Sequence, residues 1–387
     1  MKYTKGQLNA FRTLMSENNT LLLGSSGTGK TTVIERYIKY ARSQGKTVAV
    51  TASTGIAAQL IDGCTIHSFL HYIPGTNIHT TDYRLKVEAL WYVDILIIDE
   101  ISMLGMAFIE YLSRCITQVT RHIQLVIAGD FFQLPPVKDA YAFKSSWWEG
   151  LNLVPCVLTE VVRQSDSEFI HNLNLLKYGD CSCLEYFRTH SSPVPIKDQI
   201  TVCATRFSAQ QLNEAEIAKL PGDLQIFTAE YPDTVSFSDL RIEEILLVKK
   251  GMRVMSVING CGFSNGSLGT VIGFNSDTIQ VLFDNSCKYT FRKESFNVSH
   301  NPSTGSETGV RQFPLIPAYA ITIHKSQGQT FGSINIDGGN CWAPGQLYVA
   351  VSRARSVEKI HFLSPISKRN VVTAPGVIDF YKNLLAG

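Results

Sequence analysis

The residues whose types and spacing are best suited to chemistry lie near the start of the chain, between positions 24 and 32. They contain Gly24-x-x-x-x-Gly29-Lys30-Thr31, which is the phosphate-binding loop pattern. Glycines let successive backbone N–H groups point inward at phosphate oxygens, while the lysine reaches the terminal phosphates and the threonine hydroxyl ligates magnesium. The alternative is a glycine-rich turn that happens to precede a helix. The candidate nucleotide-binding residues are Gly24, Ser25, Ser26, Gly27, Thr28, Gly29, Lys30, Thr31 and Thr32.

A pair of acidic residues supplies complementary chemistry. Asp99 and Glu100 follow an aliphatic run at 95–98, which predicts a central parallel strand with both carboxylates at its carboxyl end. Ligands bind at that end of open parallel sheets. Asp99 is placed to hold magnesium, and Glu100 to orient and deprotonate a water molecule. Strands that merely end in acids are common, but the upstream phosphate loop favours the functional interpretation.

These groups must be positioned by the strands and helices of an α/β fold. Short apolar runs at 21–23, 47–52 and 124–128 predict buried strands. Apolar residues at helical spacing over 33–41 predict a helix directly after the phosphate loop. Gln133 follows the Gly-Asp tip of the last of these strands, where a glutamine can sense whether the outer phosphate is present.

Polar residues elsewhere in the first half suit contacts with nucleotide or nucleic acid. Thr54 and Thr65 lie at predicted strand ends, where short hydroxyl side chains can contact phosphates. His67 can stack on a base, although a structural histidine explains it equally well. Gln7 begins a predicted helix and carries a donor and an acceptor, so it can read an adenine edge. An exposed helix glutamine is the alternative.

Composition indicates an ordinary soluble protein. The chain has 387 residues, of which 44% are hydrophobic and 18% charged, with a net charge of +2, so any nucleic acid must bind in a local cleft. The nine cysteines form no C-x-x-C pair, which favours reduced thiols. The start of the chain lacks a targeting segment and no apolar run reaches membrane-spanning length. We expect a cytoplasmic protein with no membrane partner.

The remainder of the chain changes pattern several times. Polar turn residues at 71–86 predict an inserted hairpin or loop, and a composition change at 145–157 predicts a boundary. Short strands alternating with turns over 249–312 predict a small β-barrel. The α/β pattern then resumes without a phosphate loop but with arginines at 353 and 355. This combination suggests that the second α/β unit completes the nucleotide site of the first across a cleft.

Two runs are highly specific: Ile323-His324-Lys325-Ser326-Gln327-Gly328 and Gly129-Asp130-Phe131-Phe132-Gln133-Leu134-Pro135-Pro136. Other stretches that match the same family, over nearly the whole chain, are Gln7, 24–32, 51–58, 65–69, 98–103, 158–164, 318–331 and 348–355. With these motifs the chain resembles the superfamily-one DNA helicases of the Pif and RecD-like group.

The resemblance implies two RecA-like parallel-sheet domains with ATP between them. The first would span 1–155 and carry a small wedge at about 71–86. The second would span 156–248 and 313–387 and carry an SH3-like β-barrel at 249–312. The resemblance also implies DNA-stimulated ATP hydrolysis and movement along single-stranded DNA from five-prime to three-prime.

The same resemblance assigns roles to individual residues. The implied catalytic residues are Lys30, Asp99, Glu100, Gln133, Arg163 and Arg353, the two arginines acting as arginine fingers. Nucleotide contacts extend to Gln7 and Gly328, and the metal ligands are Thr31 and Asp99. The implied DNA track comprises Thr54, Thr65, His67, Thr322, His324, Lys325 and Ser326. The expected cofactors are ATP and Mg²⁺, the expected partners are single-stranded DNA and DNA forks, and a monomer is expected.

Two other functions use part of the same pattern. A kinase built on the phosphate loop explains residues 24–31 but gives no purpose to the second half of the chain and its arginines. A nucleotide-gated DNA-binding or clamp-loading module explains both halves without movement along DNA.

Overall fold

The computed structural model describes residues 3–72, 87–164, 166–197, 199–231, 242–300 and 307–386. Contacts divide the chain into two compact units, the first made of residues 1–196 and 330–387 and the second of residues 197–329. This division differs from the predicted domain boundaries, because it groups 156–196 and 330–387 with the phosphate loop. The wedge predicted at 71–86 lies outside the described residues except for His71 and Tyr72.

The N-terminal part of the first unit alternates strands and helices. Its strands are β1 (Thr20–Gly24), β2 (Val48–Ala52), β3 (Cys64–Thr65), β4 (Ile95–Asp99), β5 (Gln124–Gly129) and β6 (Val154–Leu158). Its helices are α1 (Lys5–Met15), α2 (Lys30–Ser43), α3 (Gly55–Leu60), α4 (Ile66–Phe69), α5 (Met106–Thr117), α6 (Ser167–Lys177) and α7 (Cys183–His190). The predicted strands and the helix after the phosphate loop are present, with ends that differ by a few residues.

The six strands form one parallel sheet in the order β3-β2-β4-β5-β1-β6. The central strands β1, β4 and β5 are buried along their whole length, as expected for continuous aliphatic runs in a sheet covered on both faces. In the register of the sheet, Leu23 pairs with Gly129 and Ile98 pairs with Ile127. The carboxyl ends of β1, β5 and β4 therefore lie side by side, which brings together the phosphate loop and the two acidic strand ends.

The second unit is mostly antiparallel β structure. Its strands are β7 (Thr201–Cys203), β8 (Gln225–Thr228), β9 (Ile245–Val248), β10 (Arg253–Ser256), β11 (Leu268–Phe274), β12 (Ile279–Phe283), β13 (Lys288–Phe291), β14 (Glu294–His300), β15 (Glu307–Gln312), β16 (Leu315–Pro317) and β17 (Ala320–Thr322). Its helices are α8 (Arg206–Lys219) and α9 (Ile323–Ser326). Strands β10 to β13 and β16 form an antiparallel sheet in the order β13-β12-β11-β10-β16.

An aromatic core holds this sheet together. The rings of Phe263 and Phe283 stack with their centroids 4.5 Å apart, and Phe291 packs edge-on against Phe263 at 5.4 Å. Such ring pairs add stabilisation beyond the area that they bury. The region 249–312, whose alternating strands and turns predict a small barrel, therefore shares one hydrophobic core with residues of α8, β8 and β9.

The end of the chain returns to the first unit with β18 (Ile334–Ile336), α10 (Gln346–Val351), β19 (Ile360–Phe362) and α11 (Pro375–Ala386). Strands β18 and β19 pair in parallel, and every residue of α10 is buried. The predicted helix over 346–355 ends at Val351 with Ser352 as its cap, so Arg353 lies just beyond the helix. Among the residues that the structure describes, no helix is long and apolar enough to cross a membrane.

Candidate nucleotide site

The phosphate loop joins the end of β1 to the start of α2. Gly27 and Gly29 have φ angles of +84° and +83°, in the left-handed region that a side chain disfavours, so glycine is needed at both positions. The Lys30 side chain is buried, and its Nζ donates hydrogen bonds to the carbonyl oxygens of Gly24 at 2.7 Å and Ser25 at 3.3 Å. The loop therefore encloses the tip of its own lysine. Thr31 and Thr32 follow in the first turn of α2 and are partly exposed.

The two predicted acidic residues lie at the end of β4. Glu100 has a left-handed φ of +54°, which is uncommon for a residue with a side chain and typical of functional sites. Its backbone N–H donates to Asp99 Oδ1 at 2.8 Å. Glu100 is partly exposed as a residue, but its Oε2 atom is buried and has no hydrogen-bond partner.

Burial dominates the electrostatics of this pair. Burial and the neighbouring Asp99 raise the pKa of Glu100 to about 7. Burial also raises the pKa of Asp99, although the positive charge of Lys30 opposes the shift. Two adjacent buried carboxylates, one with an unpartnered oxygen, are a suitable environment for a divalent cation and a water molecule. The residues predicted to hold Mg²⁺, Thr31 and Asp99, therefore fit such an ion chemically.

Gln133 and Asp130 follow the end of β5. Gln133 is buried, its backbone N–H donates to the Asp130 carbonyl at 3.0 Å, and its Oε1 has no partner. Asp130 is also fully buried, but its carboxylate accepts hydrogen bonds from the hydroxyls of Tyr348 at 3.1 Å and Tyr381 at 3.4 Å. The glutamine therefore retains an unused acceptor, while the aspartate is held by tyrosines from α10 and α11.

The two predicted arginine fingers meet at the phosphate loop. Arg163 Nη1 donates to Ser26 Oγ at 2.9 Å, and Arg353 Nη2 donates to the same oxygen at 3.0 Å. Arg353 is only 1% exposed, and burial together with the charge of Arg163 lowers its pKa to about 10. The two guanidinium groups, one buried and one partly exposed, repel each other across a single serine oxygen, so the arrangement favours an anion at this position.

Sequence reasoning missed two residues that contact the loop. The Tyr348 hydroxyl accepts the Ser26 backbone N–H at 3.1 Å, and Lys177 Nζ donates to Ser25 Oγ at 2.7 Å. Tyr348 lies inside a stretch that the resemblance had marked, so its position was available as a signal. Lys177 carries no such mark, since a lysine in the last turn of a helix is common for its favourable interaction with the helix dipole.

Gln7 lies next to the loop, and its amide contacts the chain itself. Its Nε2 donates to the Thr28 carbonyl at 3.0 Å, and its Oε1 accepts the Thr4 backbone N–H at 3.0 Å as part of a capping box for α1. A glutamine amide has two N–H donors and two acceptor lone pairs. One of each is used here, which leaves one of each for the predicted contact with an adenine edge.

The predicted DNA residues of the first unit cap short helices or pack on aromatic rings. Thr54 Oγ1 accepts the backbone N–H of Ala57 at 3.3 Å, and Thr65 Oγ1 accepts that of Ser68 at 3.2 Å. The His67 ring lies 5.7 Å from the Tyr72 ring and 5.8 Å from the Phe108 ring. These ring contacts fit the structural interpretation of His67, while its partial exposure leaves room for a base.

The predicted residues of the second unit surround α9. Thr322 Oγ1 caps this helix by accepting the Lys325 backbone N–H at 3.2 Å. Lys325 is partly exposed and pairs with Glu243 at 3.1 Å. Burial, followed by the charge of Arg206, lowers the pKa of His324.

Two further predicted residues of this unit have less accessible roles. Ser326 is fully buried and its hydroxyl donates to the Ile323 carbonyl at 2.8 Å, so the predicted DNA contact of this side chain requires a different local conformation. Gly328, a predicted nucleotide contact, has a φ of +76°, which explains the need for glycine at this position by backbone conformation alone.

The parallel sheet and the loop at the end of β1 place the chain in the class of P-loop proteins. Two family models match it: one described as an AAA domain matches residues 2–192, and one described as a UvrD-like helicase C-terminal domain matches residues 317–356.

Individual relatives are more specific. The ATP-dependent DNA helicase PIF1 of Homo sapiens is 33% identical over 99% of this chain and 65% of its own length. The ATP-dependent DNA helicase Pif1 of Bdellovibrio bacteriovorus is 31% identical over 97% of this chain and 91% of its own length. The crystal structure of Pif1 helicase from Bacteroides in complex with ADP-AlF3 and ssDNA has a TM-score of 0.81 and 28% identity, covering 100% of this chain and 98% of that one.

The chain therefore belongs to the Pif1 helicase family. It spans 60% to 65% of the length of the PIF1 proteins of Emericella nidulans, Homo sapiens and Rattus norvegicus.

Proposed function

We propose that the protein is an ATP-dependent DNA helicase that hydrolyses ATP at the phosphate loop and moves along single-stranded DNA. The observation that supports this best is the meeting of Arg163 and Arg353 on Ser26 of the loop. A kinase built on the phosphate loop would give no purpose to the second half of the chain, which contributes Arg353. The relatives named above are ATP-dependent DNA helicases, and one related structure holds a nucleotide analogue together with single-stranded DNA.

Each proposed catalytic residue has a role that follows from its surroundings. Lys30 binds the terminal phosphates, and the unpartnered Oε2 of Glu100 accepts a proton from the attacking water. Thr31 and Asp99 would hold Mg²⁺, which when bound neutralises charge on the phosphate oxygens. Arg163 and Arg353 exchange Ser26 for the transferring phosphoryl group, a contribution worth about 10³- to 10⁵-fold in rate for an arginine finger.

Gln133 and Gln7 complete the proposed nucleotide contacts. The unused Oε1 of Gln133 lies near the end of β5. It gains a hydrogen-bond partner there only when the outer phosphate and the attacking water are present. Gln7 uses its remaining donor and acceptor on adenine, which would select ATP over other nucleotides. Gly328 contributes backbone rather than side-chain atoms.

DNA contacts are proposed in both units. Hydroxyl groups of Thr54, Thr65 and Thr322 contact backbone phosphates, and Lys325 exchanges Glu243 for a phosphate. His67 and His324 contribute ring surfaces on which bases stack. Ser326 joins the track only if its hydroxyl leaves Ile323. Single-stranded DNA and forks are the proposed substrates, and the monomer is the proposed form.

The finer domain description is also a proposal. It has RecA-like domains at 1–155 and at 156–248 with 313–387, and a wedge at 71–86. The antiparallel sheet of β10 to β13 and β16, packed on an aromatic cluster, supports an SH3-like barrel at 249–312. Movement from five-prime to three-prime rests on the family resemblance.

An ATPase and strand-displacement experiment tests the proposal. We expect phosphate release that single-stranded DNA stimulates, and ATP-dependent displacement of an oligonucleotide from a duplex with a five-prime overhang but not from one with a three-prime overhang. Lys30→Ala should abolish both activities, because it removes the charge that binds the terminal phosphates.

The other outcomes identify the alternatives. Transfer of radiolabelled phosphate from ATP to an acceptor, with no free phosphate, would indicate a kinase. Nucleotide-dependent DNA binding without displacement from either substrate would indicate a gated binding module. Displacement from only the three-prime overhang would overturn the proposed direction and retain the helicase.

A further inference from the structure

Lys177 is a buried cation beside the phosphate loop that no motif assigns. It is the last residue of α6, the residue is 8% exposed, and its Nζ donates to Ser25 Oγ at 2.7 Å. A lysine at the end of a helix ordinarily extends into water, because burying an ammonium group is costly. Its burial against the loop therefore calls for a specific reason.

Three aromatic rings hold the ammonium group in place. Lys177 Nζ lies 4.5 Å from the ring centroid of Phe132, 5.2 Å from that of Tyr178 and 5.6 Å from that of Tyr381. The Thr373 hydroxyl donates to the Lys177 carbonyl at 2.8 Å and fixes the backbone. A cation held over ring faces is stabilised by their quadrupoles, and its side chain is ordered before any ligand binds.

Lys30, the lysine of the phosphate loop, shows which part of the nucleotide site Lys177 lies in. Lys30 Nζ lies 3.3 Å from the Ser25 carbonyl, and Lys177 Nζ lies 2.7 Å from the Ser25 hydroxyl, so both ammonium groups converge on one residue. The lysine of this loop reaches the terminal phosphates of a nucleotide. Ser25 therefore marks the terminal-phosphate end of the site, and Lys177 is at that end.

The charges at this end require an anion. Burial lowers the pKa of Lys177, the charge of Asp130 opposes this shift, and the nearby Lys30 adds to it. The carboxylate of Asp130 is already occupied by two tyrosine hydroxyls. A terminal phosphate placed at Ser25 would attract the ammonium groups of both lysines, and this attraction would offset their mutual repulsion.

We propose that Lys177 binds the terminal phosphate of the nucleoside triphosphate and makes the site prefer triphosphate over diphosphate. The ammonium group exchanges Ser25 Oγ for a phosphate oxygen, while Phe132, Tyr178 and Tyr381 keep it in position. This inference rests on the proposed ATP-hydrolysing function and adds a binding residue to it.

The test compares two nucleotides on one variant. Lys177→Met keeps the length of the side chain and removes its charge. Isothermal titration should show that the β,γ-imido analogue of ATP binds about ten- to hundredfold more weakly, as expected for loss of a hydrogen bond between charged groups. Binding of ADP should be nearly unchanged, because ADP lacks the phosphate that Lys177 contacts. Lys177→Arg should restore most of the preference.

Lys382→Met is the matched control, since Lys382 is an exposed lysine on α11 next to Tyr381 and should leave both affinities unchanged. Equal weakening of both nucleotides by Lys177→Met, or no weakening of either, would overturn the inference in favour of a structural role. If Lys177→Met does not melt cooperatively, Lys177→Gln, which still donates to Ser25, provides the same comparison. A wild-type protein that binds neither nucleotide would overturn the proposed function as well, whereas wild-type binding with an unchanged preference in the variant overturns this inference alone.

Discussion

Two neighbouring strands of the first unit end in acidic residues that are alike in sequence and different in structure. At the end of β5, the Asp130 carboxylate accepts hydrogen bonds from Tyr348, Tyr381 and the Phe132 backbone N–H, and it is fully buried. At the end of β4, Glu100 has a left-handed backbone and a buried Oε2 with no partner. One carboxylate is satisfied by the fold, and the other is not.

The difference separates a supporting acid from a reactive one. A carboxylate that already accepts several hydrogen bonds is a poor base, because proton uptake would break them. A buried carboxylate with an unused oxygen and a pKa raised to about 7 is well suited to accept a proton near neutral pH. Asp130 therefore ties the end of β5 to α10 and α11, and Glu100 is the acid available for chemistry.

The largest expected effect comes from removing the reactive acid. Glu100→Gln should lower DNA-stimulated ATP hydrolysis by about 10²- to 10⁴-fold, the usual contribution of a general base. Nucleotide affinity should remain within a few-fold, because the role proposed for Glu100 is to take a proton from the attacking water and not to bind the phosphates.

Steady-state phosphate release and nucleotide titration measure the two effects separately. Glu149→Gln, at an exposed glutamate of the same unit, is the matched control. Hydrolysis at the wild-type rate in Glu100→Gln would show that the unpartnered carboxylate is not the base and would remove the distinction between the two strand ends.

Much of this arrangement follows from the sequence. Aliphatic runs before Gly24, Asp99 and Gly129 predict three buried strands, and parallel strands place their carboxyl ends at one edge of a sheet. The glycine spacing predicts the loop, and the paired acids predict where a cation and a water would be bound. The predictions of the strands and of the loop succeed because each depends on a short local pattern, whereas the cation and the water stay predictions.

What the sequence does not predict depends on contacts between distant parts of the chain. Tyr348 and Asp130 are separated by 218 positions, and Lys177 and Ser25 by 152. No local periodicity indicates that a tyrosine in α10 will satisfy an acid after β5, so Asp130 and Asp99 look equivalent until the fold is known. The early end of the predicted helix over 346–355 was likewise not indicated locally: the helix ends at Val351, and Arg353 beyond it contacts Ser26, 327 positions away.

The second prediction concerns the supporting acid. Asp130→Asn should lower the free energy of unfolding of the first unit by about 3 kcal/mol, because two buried tyrosine hydroxyls lose a charged acceptor. All four tryptophans belong to the first unit, so urea unfolding followed by tryptophan fluorescence reports on it directly.

Asp379→Asn, at an exposed aspartate of α11, is the control for this measurement. A loss no larger than about 0.5 kcal/mol, which is typical of a surface substitution, would show that the tyrosine contacts contribute little and that Asp130 is free for another role.

The smallest expected effect is the cost that the reactive acid imposes on the fold. In the folded, metal-free and nucleotide-free protein, burial and Asp99 raise the pKa of Glu100 from 4.5 to about 7. The unfolded chain therefore releases this proton at lower pH than the folded chain does, and stability is lost as the pH rises through this interval.

Between pH 5 and pH 8, in the presence of a chelator, the wild-type protein should lose about 2 kcal/mol more stability than Glu100→Gln. Tryptophan-monitored urea unfolding at the two pH values measures the difference. If both proteins lost the same stability over this range, the surroundings of Glu100 would not raise its pKa. Glu100 and Asp130 would then differ in their position in the sheet but not in their electrostatic environment.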